Sequence, residues 1–253
     1  MGSIITIANQ KGGVGKTTSA INISAFLGKK NKKVLLVDMD PQGNASSGLG
    51  LNIHKLEKTI YEVLLGELSP LECIVPTQET NVWILPSNVN LAGLEVDLIE
   101  KENRNEQLKY ILNKIRNQYD YIIIDCPPNL GILTLNGLCA SDGVMIPLQT
   151  EYYALEGITQ LMRVIDRVQK VLNPGLILVG VILTMYDSRT TLSKMVVDDV
   201  KTHFKDKVFE NIVPRNVKLS EAPSFGKSIA KYAPESNGAL AYEKIAEELI
   251  KRI

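Results

Sequence analysis

The apolar residues of this chain fall in two rhythms that alternate along its length. Short, largely continuous apolar runs occupy residues 4–8, 34–37, 81–86, 119–124, 143–148 and 176–185. Strands covered on both faces read this way, because neither face meets water. Between them lie longer stretches whose apolar residues return every three or four positions, at 16–29, 91–116, 130–140, 155–172, 192–204 and 238–252. That spacing predicts helices, the fourth ended by Asn173-Pro174-Gly175. Residues 51–71 give a mixed helical and looping pattern. Strand and helix in alternation predict an α/β, doubly wound, mostly parallel sheet with helices on both faces. With 253 residues and no internal repeat, low-complexity tract or linker, the simplest organisation is one domain spanning 1–253.

The ends of three of these runs carry chemistry. After the first comes Asn9-Gln10-Lys11-Gly12-Gly13-Val14-Gly15-Lys16-Thr17-Thr18, leading into a predicted helix. Three glycines let the backbone curl tightly and present N–H groups to phosphate oxygens. The helix start adds unpaired N–H groups and the positive end of its dipole. In such a loop Lys16 reaches the β- and γ-phosphates of a nucleotide and the Thr17 hydroxyl sits on magnesium. The order strand, Gly-rich loop, helix therefore predicts nucleotide binding.

The second run ends in Asp38-Met39-Asp40-Pro41-Gln42 and the fourth, 119–124, in Asp125-Cys126-Pro127-Pro128. Ligands of open α/β sheets bind at the carboxyl ends of the strands, where these acids emerge. Asp125 has the position of the carboxylate that holds magnesium in phosphate-loop ATPases. The prolines fix the backbone after it, and Gly131 leaves room for rearrangement. Two loop acids alone would be read as solvated charges; three motifs in order, each on the right element, argue for a site.

The phosphate loop departs from the usual pattern. Gln10 stands where a glycine is usual, and an extra cation, Lys11, precedes the glycines. This K-G-G-x-G-K-T loop resembles the deviant loop of the ParA/MinD group of P-loop ATPases. The resemblance runs over the whole chain and is closest to the chromosomal ParA proteins also called Soj, through 44–50, 151–157 and 214–224. It implies a fold of the P-loop NTPase kind, with ATP and Mg2+ as ligands. It also implies an ATPase that is weak alone and works as an ATP-dependent homodimer. Lys11 is then expected to reach the partner's ATP, as an arginine finger does, with Lys16 the second catalytic cation. Asp40 matches the residue that positions the attacking water, and Asp38 lies in the magnesium shell with Thr17 and Asp125. Pro214 and Asn216 match the region around the adenine ring.

Such proteins segregate chromosomes and low-copy plasmids, with a ParB-type partner that acts through a basic N-terminal segment. The implied location is the cytoplasm, on the nucleoid. Arg189, Arg215 and Lys218 match positions whose basic residues contact nonspecific double-stranded DNA. Lysine at 218, where relatives often have arginine, keeps the attraction for phosphate and loses the bidentate geometry.

Composition narrows this picture. Formal net charge is zero, from 28 basic and 28 acidic residues, so DNA binding has to come from a local patch. Three cysteines at no paired spacing argue against a disulfide framework, a zinc site or an iron–sulfur carrier. The longest strongly apolar stretch, 176–186, is far short of a membrane span, and no leader pattern precedes the first run. The nearest rival is a MinD-like membrane-associated positioning ATPase. It needs a basic amphipathic final helix, whereas residues 242–253 mix acids and bases around Ile245, Leu249 and Ile250 as a core-docking helix does. No membrane partner is expected.

Overall fold

The computed structural model describes residues 1–151 and 154–253, with the side chains of 154–156 outside that description. The 152–153 part of the 151–157 motif therefore lies outside the described residues. In chain order the elements are β1 (Ser3–Ile7), α1 (Lys16–Lys29), β2 (Val34–Asp38), α2 (Asn44–Gly48), α3 (Ile60–Leu65), α4 (Pro70–Cys73), β3 (Val75–Pro76) and β4 (Val82–Leu85). There follow α5 (Leu94–Asp97), α6 (Gln107–Ile115), β5 (Tyr121–Asp125), α7 (Ile132–Ala140), β6 (Gly143–Gln149), α8 (Ala154–Val171) and β7 (Ile177–Thr184). The chain closes with α9 (Thr191–Phe204), α10 (Val217–Glu221), α11 (Ile229–Tyr232) and α12 (Asn237–Arg252).

Among the described residues, seven strands form one sheet in the order β3-β4-β2-β5-β1-β6-β7. Every pairing is parallel except that of the two-residue edge strand β3 with β4. The apolar runs are continuous because each strand feeds two cores with alternate residues. Ile4, Leu35, Val37, Ile122 and Ile124 pack on one face, where α6, α7, α8 and α9 lie. Ile5, Ile7, Val34, Leu36 and Ile123 pack on the other, under α1 and α12. This is the doubly wound, mostly parallel arrangement that the alternation of patterns predicts.

One predicted element is corrected. Residues 91–116 do not form a single helix: α5 ends at Asp97 and α6 begins at Gln107. Between Leu98 and Leu108, both fully buried, the sequence offers charges and two asparagines, with Ile99 exposed. It has no apolar side chain anchored beneath it, and asparagine favours turns over helix. Buried Asn136 of α7 supplies the backbone partners that a continuous helix would have provided. Its Oδ1 accepts from Leu108 N (3.1 Å) and its Nδ2 donates to Arg104 O (2.8 Å).

The chain leaves β1 toward β2 on one side of the sheet and later fills β6 and β7 on the other. The carboxyl ends of β1, β2, β5 and β7 thus open on a common crevice at a topological switch point.

Candidate functional site

The loop after β1 is built on glycine where the backbone demands it. Gly13 and Gly15 have φ of +74° and +90°, and a side chain there would be strained. Asn9, buried beneath the loop, donates to Pro147 O (2.7 Å) and accepts from Lys11 N (3.0 Å), tying the loop's start to β6. Val14 is buried behind the loop, and its carbonyl accepts from Thr184 Oγ1 at the end of β7 (2.8 Å). Gly15 caps α1, so the first turn of that helix faces the crevice. The result is a rigid cradle of backbone N–H groups.

A cleft of about 440 Å³ lies over this cradle, bordered by Gly12, Gly13, Gly15, Lys16, Thr17, Thr18 and Asp40. A narrower cleft of about 250 Å³ adjoins it, with Pro214 and Asn216 in its wall. Gly15, Thr18, Met185 and Leu219 border both. The two clefts have the size and contrast of a phosphate end and a base end.

Lys16 is only 7% exposed, and its Nζ donates to Lys11 O (2.9 Å). Burial lowers its pKa, and the opposing pull of Asp125 and Asp40 limits the effect. Asp38 and Asp125 sit side by side in register on β2 and β5, both fully buried. Their surroundings differ. Asp38 Oδ2 accepts from Ser46 N (2.8 Å) and Ser46 Oγ (2.7 Å), and Oδ1 accepts from Asp40 N (3.2 Å). Burial pushes its carboxyl up to about 6 in spite of those bonds.

Neither oxygen of Asp125 has a hydrogen-bond partner of good geometry among the described residues. Burial raises its pKa well above the carboxylate range, the Asp38 charge adds to the shift, and the neighbouring Thr17 hydroxyl offsets only part. A buried, orphaned carboxylate beside a hydroxyl and the foot of a phosphate loop is a donor set suited to a hard divalent cation.

Asp40 is 7% exposed and borders the wide cleft, where its Oδ1 accepts from Gln42 N (2.9 Å). Lys11 points elsewhere: its Nζ pairs with Glu151 Oε2 at 3.2 Å, both side chains being half exposed. Gln149 holds the other oxygen of Glu151.

The cations expected to meet DNA occupy two adjoining loops; Arg189 and Lys218 lie outside the clefts, and Arg215 also borders the narrower one. Arg215 N donates to Tyr186 O (2.9 Å), which sews residues 214–218 alongside 186–189. Arg189 is 84% exposed and grips Asp187 through Nε (2.9 Å) and Nη2 (2.7 Å), holding that carboxyl near 2. Lys218 pairs with Glu221 (2.9 Å) and lies over the Tyr232 ring. Arg215 is exposed and has no ion pair among the described residues, although its charge also pulls on Asp187.

Sequence reasoning missed Lys227, Asn44, Ser47, Leu219 and Met185, all on the wide cleft. Met185 was open to discovery, since it follows β7 at the same carboxyl end that exposed Asp38 and Asp125. Lys227 was not, because its place depends on the 222–229 turn, which is fastened by Ile229 N to Asn22 Oδ1 and Ser228 N to Glu79 Oε1.

Comparison with known proteins agrees with this geometry. A family model described as an AAA domain matches residues 2–178. The sporulation initiation inhibitor protein Soj of Bacillus subtilis is 50% identical over 98% of this chain and 98% of its own length. The chromosome partitioning protein ParA of Myxococcus xanthus is 52% identical over 100% of this chain and 89% of its own. A crystal structure described as cobyrinic acid a,c-diamide synthase of Mycobacterium smegmatis, with bound ATP analogue and magnesium, superposes with a TM-score of 0.90. It is 41% identical and covers 99% of this chain and 95% of that one.

Proposed function

This chain belongs to the ParA/Soj family of chromosome-partitioning ATPases, and we propose that it is an ATP-driven, DNA-gripping switch folded as one unit across 1–253. The observation that carries the reading is the pair of joined clefts, with a phosphate cradle and an orphaned buried carboxylate at one end and an apolar wall at the other. A solved relative holding an ATP analogue and magnesium supports it.

In this reading the backbone of Gly12, Gly13, Val14 and Gly15 cradles the phosphates of ATP, Lys16 neutralises them, and Thr18 borders the nucleotide where the two clefts meet. Pro214 and Asn216 flank the base. Mg2+ fits the Thr17–Asp125 corner; when bound, it neutralises charge on the β- and γ-phosphates. Asp38 serves that corner by holding residues 40–46 in register through Ser46. Asp40 orients the attacking water. Lys11 leaves Glu151 and reaches the ATP of a second copy, so the dimer lasts only while the γ-phosphate does. A ParB-type partner accelerates hydrolysis.

Arg189, Arg215 and Lys218 form the DNA-facing patch. Asp187 and Glu221 are close enough to oppose two of the three cations, and the chain is neutral overall. A single copy should therefore grip DNA weakly, and doubling the patch by dimerisation supplies the affinity. α12 buries Tyr242, Ile245, Ala246 and Leu249 in the core, which leaves that face no part in binding lipid. Among the described residues no helix is long and apolar enough to cross a membrane.

The test is retention on a random-sequence DNA duplex with ATP or ADP across a salt series. Salt-sensitive binding with ATP alone is expected, with Arg189→Glu, outside both clefts, losing most of it while keeping ATP hydrolysis. Equal retention with both nucleotides would sink the switch.

A further inference from the structure

Met185 is the one cleft residue whose backbone is in an unusual conformation for its type. Its φ is +54°. Among the described residues only Asn31, Asn81 and Lys205 share a positive φ without being glycine, and none of them borders either cleft. Methionine has no side-chain group to favour the left-handed region, so the surroundings must impose it.

They do so from both sides. Thr184, just before it, donates through Oγ1 to Val14 O (2.8 Å), and its carbonyl accepts from Thr150 N (3.1 Å). Tyr186, just after it, donates to Val213 O (3.1 Å) and accepts from Arg215 N (2.9 Å). One neighbour is pinned to the phosphate loop and the other to the segment carrying Pro214. The residue between them turns out of the strand, at the boundary shared by the wide polar cleft and the narrower one. The narrow cleft is walled there by Val213, Pro214, Val217 and Leu219, an apolar slot suited to a flat ring.

We propose that Met185 is a specificity-determining residue for the nucleotide, its thioether forming the wall on which the purine ring rests opposite Pro214. The proposal rests on the ATP reading of the two clefts and adds a contact that discriminates the base from the phosphates. A flexible, polarisable thioether suits that place, because sulfur packs favourably against aromatic rings. The strained backbone delivers the side chain to the slot, which a residue continuing the strand would miss.

Calorimetric titration with ADP and, separately, with inorganic tripolyphosphate, both with magnesium, tests it on the intact chain. Met185→Ala keeps a Cβ and the same backbone demand and removes only the thioether. It is expected to weaken ADP about tenfold, the usual scale for one lost apolar contact in a ligand pocket. Tripolyphosphate, which has no base, should bind as in the parent, and Met185→Leu should recover ADP binding to within about threefold. Two results would overturn the proposal while leaving nucleotide binding intact: ADP bound equally by parent and Met185→Ala, or ADP and tripolyphosphate weakened alike. A parent that binds pyrophosphate, the phosphate chain of ADP without its nucleoside, as tightly as ADP would also overturn it, since the base then contributes nothing. A parent that binds neither would bring down the ATP reading with it.

Discussion

Asp38 and Asp125 show how far two identical side chains at the same level of one sheet can differ. Both are fully buried, yet three donors satisfy the first, while among the described residues none meets the second in good geometry. Each carboxyl titrates higher in the folded chain than its unfolded value near 3.9. Below that value both states hold the proton and the group has no effect on stability. Above it the unfolded chain releases the proton first, so stability falls as pH rises, through about 6 for Asp38 and in the same sense for Asp125. Asn at 125 has no proton to lose. In EDTA, Asp125→Asn should therefore melt higher than the parent, by a margin that widens from about pH 4 toward neutrality. With Mg·ADP the order should reverse, because the carboxylate is then matched by the cation. A margin that stays constant with pH would mean that Asp125 is not the strained charge of this site. Asp187 titrates in the opposite sense: Arg189 holds it near 2, so its contribution is present above its unfolded value and fades only in strong acid.

At the scale of elements, the segment from Asp40 to Gly48 owes its position to one side chain. Ser46 Oγ donates to Asp38 (2.7 Å) and accepts from Ser87 N (3.0 Å), bridging β2 to the residues after β4 from inside a helix of five residues. Helices that short do not hold themselves. Ser46→Ala should lower stability by about 1–3 kcal/mol, the cost of leaving buried partners unsatisfied. It should also weaken Mg·ATP more than tripolyphosphate without magnesium, because Asp40 loses its register. Parent-like melting in this variant would show that the bridge contributes nothing. The Asp38 and Asp40 carboxylates were legible in the sequence, and Ser46 was not, for a physical reason. Strand ends announce themselves by an apolar run that stops at an acid, whereas a serine's hydrogen-bond partners come from elements distant in the chain. The same distinction runs through the fold. Long strands and α1 stand where periodicity puts them. The 91–116 stretch breaks because Asn136, twenty residues beyond it, takes over the backbone's hydrogen bonds. The two-residue β3 is too short to have a period at all. The phosphate cradle was legible to the residue, since a loop fixed by glycine and a helix start is a local structure. Met185 and Lys227 reach the cleft only through tertiary ties.

The whole molecule turns on where Lys11 points. In one copy it pairs with Glu151 at 3.2 Å, beside the cleft and outside it. Reaching a partner's ATP requires that pair to open, so Glu151 opposes dimerisation by whatever the pair is worth. Both side chains are close to half exposed, and ion pairs in that setting are worth at most about 1 kcal/mol. Glu151→Gln keeps the shape and removes the charge. At low salt it should form the ATP-dependent dimer at lower protein concentration, with the dissociation constant reduced by up to about fivefold for each site. Raising the salt to about 0.5 M should bring parent and variant together, because screening already weakens the pair in the parent. Lys11→Ala should bind ATP and stay a monomer whatever residue stands at 151. Sedimentation velocity across protein concentration, with ATP and with ADP, reads all three. If Glu151→Gln dimerises no more readily than the parent at low salt, the contact is a surface pair of no consequence to the switch. If it dimerises less readily, Glu151 belongs to the dimer interface, and the lysine keeps its acid when the copies meet.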